Sequence, residues 1–211
     1  ASKIIPIYNP IEVERVTQRS HEKIEHLWYD EKVPIIISIG RLTPQKGFSH
    51  LIKALAIVKK SGISCRLVIL GEGKENSNLR KLAKKLRIND SVAFLGFQRN
   101  PYKYLRYATI FVLSSLYEGF PNVLLEALAL GVPSVATRCP TGPTEIITDG
   151  VDGILVPSAD HIALADAIKQ LLLDSNLRKQ LREKGKKRVV EFRVEKIIRQ
   201  YEEVIEAVCG A

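Results

Sequence analysis

Short apolar runs alternate along this chain with longer amphipathic ones, and that alternation is what most restricts the fold. The runs "VPIIISIG" (33–40), "CRLVIL" (65–70), "SVAFLG" (91–96), "ATIFVLSS" (108–115), "PSVAT" (133–137) and "GILVP" (153–157) are mostly Val, Ile and Leu with little polar alternation. Strands of that kind are covered on both faces, as in a parallel sheet flanked by helices. The stretches between them have helical spacing. "GFSHLIKALAIVKKSG" sets Leu51, Leu55 and Val58 on one side and stops at Gly62, while "NLRKLAKKLRIN" repeats Leu79, Leu82 and Leu86 against a basic outer face. Another helix starts near Pro121, runs to Leu130 and ends at Gly131, with Pro early and Gly late.

Three helices follow the last strand, near 160–173, 176–190 and 194–208. The final one carries Val194, Ile197, Ile198, Tyr201, Val204, Ile205 and Val208, an apolar stripe that something must cover. The βαβ succession predicts a single α/β domain over 1–211: a doubly wound, Rossmann-like parallel sheet of about six strands with C-terminal helices. Such sheets bind ligands in the crevice outside the carboxyl ends of their strands, so the loops after the strands hold the candidates.

Composition narrows the setting. Apolar residues make up 45% and charged residues 26%, as in a soluble globular protein. The longest apolar runs fall short of the roughly 18 to 20 residues of a membrane span, and no signal-peptide pattern opens the chain. Cys65, Cys139 and Cys209 are isolated, without metal or disulfide spacing, which fits a reducing cytoplasm. No methionine is present, so the chain need not be an intact translation product. A net charge of +9 suits polyanionic partners such as nucleotides, acidic phospholipid surfaces or nucleic acid. The basic runs "RKLAKKLR" and "LRKQLREKGKKR" lack interleaved aromatics and read as solvated helix faces, so nucleic acid is not expected. His21, His26, His50 and His161 form no triad or metal spacing.

Four loops remain. In "GRLTPQKGF", Gly40 and Gly47 let a ligand approach the backbone, and Arg41 and Lys46 beside a helix start suit a phosphate. The loop is not a Walker A motif, and a solvated Arg and Lys beside a turn is the alternative. In "ILGEGKEN", Gly71 and Gly73 serve tight turning or close backbone contact, with Glu72 and Lys74 exposed. In "LSSLYEGFPNVLLEALALGVPSVAT", Glu118 sits in the loop and Glu126 about one and a half turns into the helix. Free N–H groups around Gly119 to Val123 can hold a phosphate. Carboxylates beside a phosphate repel it unless hydroxyls need them, and a sugar nucleotide has hydroxyls on both sides of its diphosphate; the alternative is a turn residue at Glu118 and a helix-surface charge at Glu126. In "TRCPTGPTEIITDGVDGILVP", Gly142 and Pro143 shape a turn before a short helix, and Asp149 and Asp152 are turn residues.

At these motifs the chain resembles the C-terminal donor-binding domain of retaining glycosyltransferases of family 4, one half of the two-domain GT-B fold. The resemblance rests on G-R-x4-K-G at 40–47, "LGEG" at 70–73, "VAFLGF" at 92–97, E-G-F-P-N-x3-E at 118–126, "EALALGVPSVAT" at 126–137 and G-x-L-V-P at 153–157. It implies that Arg41, Lys46 and Glu118 carry catalysis: the two cations on the donor diphosphate, Glu118 on the sugar hydroxyls. Glu126 would take the ribose, Phe97 and Gln98 would lie near the base, and Gly40, Gly71, Gly119, Phe120, Pro121, Asn122 and Val123 would complete the donor site. No cofactor or metal is expected, and no DxD motif is present. The donor would be a nucleotide-diphosphate sugar, with UDP-linked hexose or N-acetylhexosamine favoured by "CPTGPTEII". The acceptor would be a glycan or lipid-linked glycan, as in surface polysaccharide biosynthesis. Residues 1–32 would be an interdomain-linker-like lead-in, although "YNPIE" at 8–12 departs from the family pattern. Helix 194–208 would pack on a missing N-terminal acceptor domain, leaving this fragment inactive alone. A cytoplasmic enzyme with peripheral association at the inner membrane face is the setting implied. The alternative is a non-catalytic nucleotide-sugar binding module.

Overall fold

The computed structural model describes residues 4–209, so the first three residues of the expected lead-in lie outside the described residues. Six strands, β1 (Ile35–Ile39), β2 (Arg66–Leu70), β3 (Val92–Phe94), β4 (Ile110–Leu113), β5 (Ser134–Arg138) and β6 (Ile154–Pro157), form one parallel sheet in the order β3-β2-β1-β4-β5-β6. Each apolar run of the sequence yields one strand. The chain winds outward from β1 to β3, then returns to place β4 against β1, pairing Ile36 with Ile110 and Ile37 with Phe111. The order therefore reverses between β1 and β4, and the loops leaving those strands border the crevice that opens there.

The helices are α1 (Val13–Arg19), α2 (Phe48–Lys60), α3 (Asn76–Lys85), α4 (Tyr102–Arg106), α5 (Asn122–Ala129), α6 (Pro143–Ile146), α7 (His161–Leu173), α8 (Ser175–Val189) and α9 (Val194–Cys209). Alternate strand residues enter two cores. Ile36, Leu67, Ile69, Ile110 and Val112 pack with Leu51, Leu55 and Val58 of α2, Leu79 of α3, and Leu164 and Ile168 of α7. Ile37, Val68, Leu70, Phe111 and Leu113 pack on the opposite face with Val16 of α1, Leu105 of α4, and Leu124, Leu125 and Leu128 of α5. Unalternated apolar strands follow directly from having a core on each side.

Two parts differ from the sequence reading. The lead-in is more than a linker: it contains α1, which buries Val16, and its Ile11 N–H donates to the Phe192 carbonyl at 2.8 Å. The other addition is α4, five residues long. Helix α9 forms as expected and buries Ile197, but Ile198, Tyr201, Ile205 and Val208 stay about half exposed or more, at 49%, 52%, 58% and 74%. Among the described residues, no helix is long and apolar enough to cross a membrane.

Candidate functional site

The loops after β1 and β4 are stitched together at the switch point. Gly40 and Leu42 continue from β1 by donating their N–H groups to the carbonyls of Leu70 and Glu72, at 2.9 and 2.8 Å. Leu42 is fully buried, which anchors the loop and leaves its neighbour Arg41 exposed. The chain then turns through Pro44–Lys46 into α2 at Gly47, whose φ is +60° and where a Cβ would overlap the Ser114 carbonyl oxygen. Only glycine lets the two loops approach so closely. Ser114 Oγ donates to the Lys46 carbonyl at 2.9 Å, the Leu116 N–H to the Gln45 carbonyl at 2.7 Å, and Gln45 Nε2 to the Tyr117 carbonyl at 3.0 Å.

This stitching brings Lys46 and Glu118 into an ion pair of 2.6 Å, with the side chains only 16% and 7% exposed. Ser115 Oγ donates to the same Glu118 oxygen at 2.5 Å, and Thr141 Oγ1 donates to the Glu118 carbonyl at 2.7 Å. Cys139 is buried here as well, its thiol donating to the Ser115 carbonyl at 3.3 Å. Burial pushes that thiol's pKa up. The family resemblance puts Lys46 on the diphosphate and Glu118 on the sugar; in the structure the two side chains are partners.

Arg41 lines a cavity of about 360 Å³ with Gly40, Gly71, Phe97 and Gln98. Four of the sequence-derived candidates thus join Arg41 in one place. Gly71 has φ +136°, and a Cβ there would overlap the Gly40 carbonyl oxygen, so these loops also need a glycine to meet. Glu72, expected only as an exposed turn residue, also lines the cavity and accepts the Phe97 N–H at 3.3 Å. Phe97 presents its ring at the rim, 71% exposed, while Gln98 Nε2 donates to the Leu95 carbonyl at 2.7 Å. Apolar walls with a few backbone and amide groups suit a flat heterocycle.

Helix α5 begins after Pro121, which offers no side-chain cap, so the N–H groups of Asn122 and Val123 keep the donor capacity of a first helical turn. Gly119 is exposed and Pro121 buried beside it. Phe120 differs from expectation, since its ring stacks on Tyr8 with centroids 5.2 Å apart and lies 5.8 Å from Phe192. Its ring is therefore committed to an aromatic cluster with the lead-in and the turn at Val190–Phe192 that precedes α9, leaving its backbone in the loop. The Val123 side chain likewise packs on the core.

Glu126 occupies a second, smaller cavity of about 190 Å³, with Asn122, Tyr102, Arg15 and Pro10. Its Oε1 accepts a hydrogen bond from the Tyr102 hydroxyl at 3.0 Å. Burial pushes the Glu126 carboxyl above the usual range, opposed by that hydrogen bond and by Arg19. Burial and the Glu126 charge push the Tyr102 phenol up to about 12. Tyr102 and Arg15 carry no sequence signal of a site, because they lie in helices of five and seven residues. Among the described residues, no three His, Cys, Asp or Glu side chains cluster as a metal-ligand set.

A family model described as glycosyl transferases group 1 matches residues 20–188. An uncharacterized glycosyltransferase of Methanocaldococcus jannaschii is 35% identical across 97% of this chain and 57% of its own length. A Campylobacter jejuni protein named N-acetylgalactosamine-N,N'-diacetylbacillosaminyl-diphospho-undecaprenol 4-alpha-N-acetylgalactosaminyltransferase is 37% identical across 92% of this chain and 51% of its own. The chain thus spans about half the length of these relatives. Among solved structures, Anabaena HepE in complex with UDP superposes with a TM-score of 0.86 at 23% identity, covering 95% of this chain and 57% of HepE. That likeness is one of fold: this sheet is one Rossmann-like half of a GT-B architecture.

Proposed function

The chain belongs to the glycosyl transferases group 1 family, and we propose that it is the donor-binding half of a retaining, metal-independent transferase of family 4 type that uses a UDP-linked hexose or N-acetylhexosamine. One observation carries this reading: Arg41, the Lys46–Glu118 pair and the uncapped start of α5 all belong to the two loops that meet at the topological switch point. Cations and free N–H groups suit a diphosphate, and the carboxylates suit the hydroxyls on either side of it. UDP in the HepE complex supports uridine as the base, which the cavity of Arg41, Phe97 and Gln98 would receive.

The diphosphate then lies against Arg41, Lys46 and the α5 N-terminus, Glu126 accepts from the ribose, and Glu118 from the transferred sugar. As the glycosidic C–O bond breaks, negative charge grows on the leaving phosphate, where the two cations lower the barrier. The acceptor hydroxyl adds to the oxocarbenium-like carbon from the face the diphosphate leaves, and its proton passes to the departing phosphate oxygen. Configuration is retained.

The acceptor, a glycan or lipid-linked glycan, would be held by an N-terminal domain that also covers Ile198, Tyr201, Ile205 and Val208 of α9. The name of the Campylobacter relative, which specifies a diphospho-undecaprenol acceptor, supports a lipid-linked class; work at the cytoplasmic membrane face is part of the same proposal. Thermal melts of the chain with UDP-glucose, UDP-N-acetylglucosamine, UDP-N-acetylgalactosamine and GDP-mannose test the donor assignment. A ligand at about 100 times its Kd stabilises by about 2.7 kcal/mol, so a true donor raises the Tm clearly. No shift with any UDP-sugar refutes the assignment.

A further inference from the structure

Tyr102 is fixed at three points. Its hydroxyl donates to Glu126 Oε1 at 3.0 Å, its N–H donates to Asn100 Oδ1 at 3.2 Å, and the Arg19 guanidinium lies over its ring, 5.3 Å from the centroid. The flanking groups are fixed in turn. Arg19 Nη2 donates to the Arg99 carbonyl at 2.8 Å, and Asn100 Nδ2 donates to the Arg19 carbonyl at 2.8 Å. The end of α1, the 99–101 turn and α4 therefore form one hydrogen-bonded brace that ends on a single carboxylate oxygen.

A glutamate on a helix has three rotatable bonds and costs rotamer entropy to hold in place. The tyrosine rather than a ligand meets that cost here. Its phenol is a one-proton donor on a rigid ring, so it fixes Oε1 and occupies one of the several lone-pair sites of the carboxylate. Among the described residues Oε2 accepts no hydrogen bond, so it keeps its full capacity. The carboxylate that results is oriented before any ligand arrives, which is what separates a selective polar contact from an adaptable one.

We propose that Tyr102, held by Arg19 and Asn100, is a positioning residue that sets Glu126 to accept from a ribose 2′-hydroxyl and thereby makes the site select ribonucleotides over 2′-deoxyribonucleotides. The inference rests on the nucleotide-binding reading above and adds two features: an agent, Tyr102, and a selectivity. It also gives the lead-in a role, because Arg19 belongs to α1.

The test is calorimetric titration of the whole chain with UDP and with 2′-deoxy-UDP, for the wild type, Tyr102→Phe and Arg19→Gln, with melting curves to confirm folding. The wild type prefers UDP by about tenfold, the scale of one hydrogen bond to a charged group. Tyr102→Phe loses most of that preference by weakening UDP alone, and Arg19→Gln loses part of it. An undiminished preference in Tyr102→Phe, an equal loss for both ligands, or no preference in the wild type overturns the inference while leaving nucleotide binding intact. Wild-type protein that binds neither ligand defeats the nucleotide reading itself, and the inference with it.

Discussion

Lys46 Nζ stands 2.6 Å from Glu118 Oε1, so a cation proposed for phosphate and a carboxylate proposed for sugar hydroxyls neutralise each other inside one loop junction. On the proposed roles, a diphosphate that competes for Lys46 would loosen its hold on Glu118, and sugar hydroxyls that occupy Glu118 would loosen its hold on Lys46. The two halves of a nucleotide sugar would then assist each other's binding.

Removing one member of this pair leaves a nearly buried charge alone. Lys46→Met is expected to lower stability by about 3 kcal/mol, whereas Lys46→Met with Glu118→Gln recovers most of that loss. Urea unfolding of the single and double variants measures the coupling, and additive losses would show that the pair is inert.

Glu126 gives a prediction with a definite sign in pH. Its carboxyl is pushed above the usual range by burial, so ionisation is penalised in the folded state. The penalty is fully present above the folded pKa and disappears as pH falls below the unfolded value near 4. Glu126→Gln should therefore melt higher than wild type at neutral pH, with the gap closing as the solution is acidified. Nucleotide affinity should move the other way: wild-type affinity declines as pH falls through the raised pKa, and the Gln variant is weaker and flat. Melting and titration series across pH check both halves.

Gly71→Ala places a Cβ against the Gly40 carbonyl at a φ of +136°. Strain and overlap together should cost about 2 to 3 kcal/mol and distort the cavity that Arg41 and Phe97 line. A Tm within 2 °C of wild type, on the order of 1 kcal/mol or less for a chain of this size, would argue against so close an approach of the loops.

The stripe on α9 separates stability from assembly. Tyr201→Ser with Ile205→Ser should change this chain's stability by no more than about 0.5 kcal/mol, because both side chains are more than half exposed. In a longer protein carrying the proposed N-terminal domain, the same change should lower the Tm. Equal stability with and without the substitutions there would mean that the stripe has another partner.

The sheet was legible because both of its faces are covered: unalternated runs such as 35–39 and 110–113 can be little else. That Arg41, Lys46 and Glu118 leave the carboxyl ends of β1 and β4 was legible from the strand pattern. Their pairing was not, since nothing in the order of residues says that Lys46 reaches across 72 positions to Glu118. Tyr102 and Arg19 were hidden for a different reason: α4 has five residues and α1 seven, too few for an apolar period to stand out. Phe120 was given to the ligand because it sits in the donor loop, yet its ring is claimed by Tyr8 and Phe192, which only the folded chain brings near.

Whether this chain holds a nucleotide donor is decided by calorimetric titration with UDP, GDP and ADP, repeated on Arg41→Ala and Glu126→Ala. UDP is expected to bind, and each substitution to weaken it by about tenfold or more, the scale of a lost charge-assisted hydrogen bond. Binding of no nucleotide at millimolar concentration, or UDP binding unchanged in both variants, would rule out the proposed donor site.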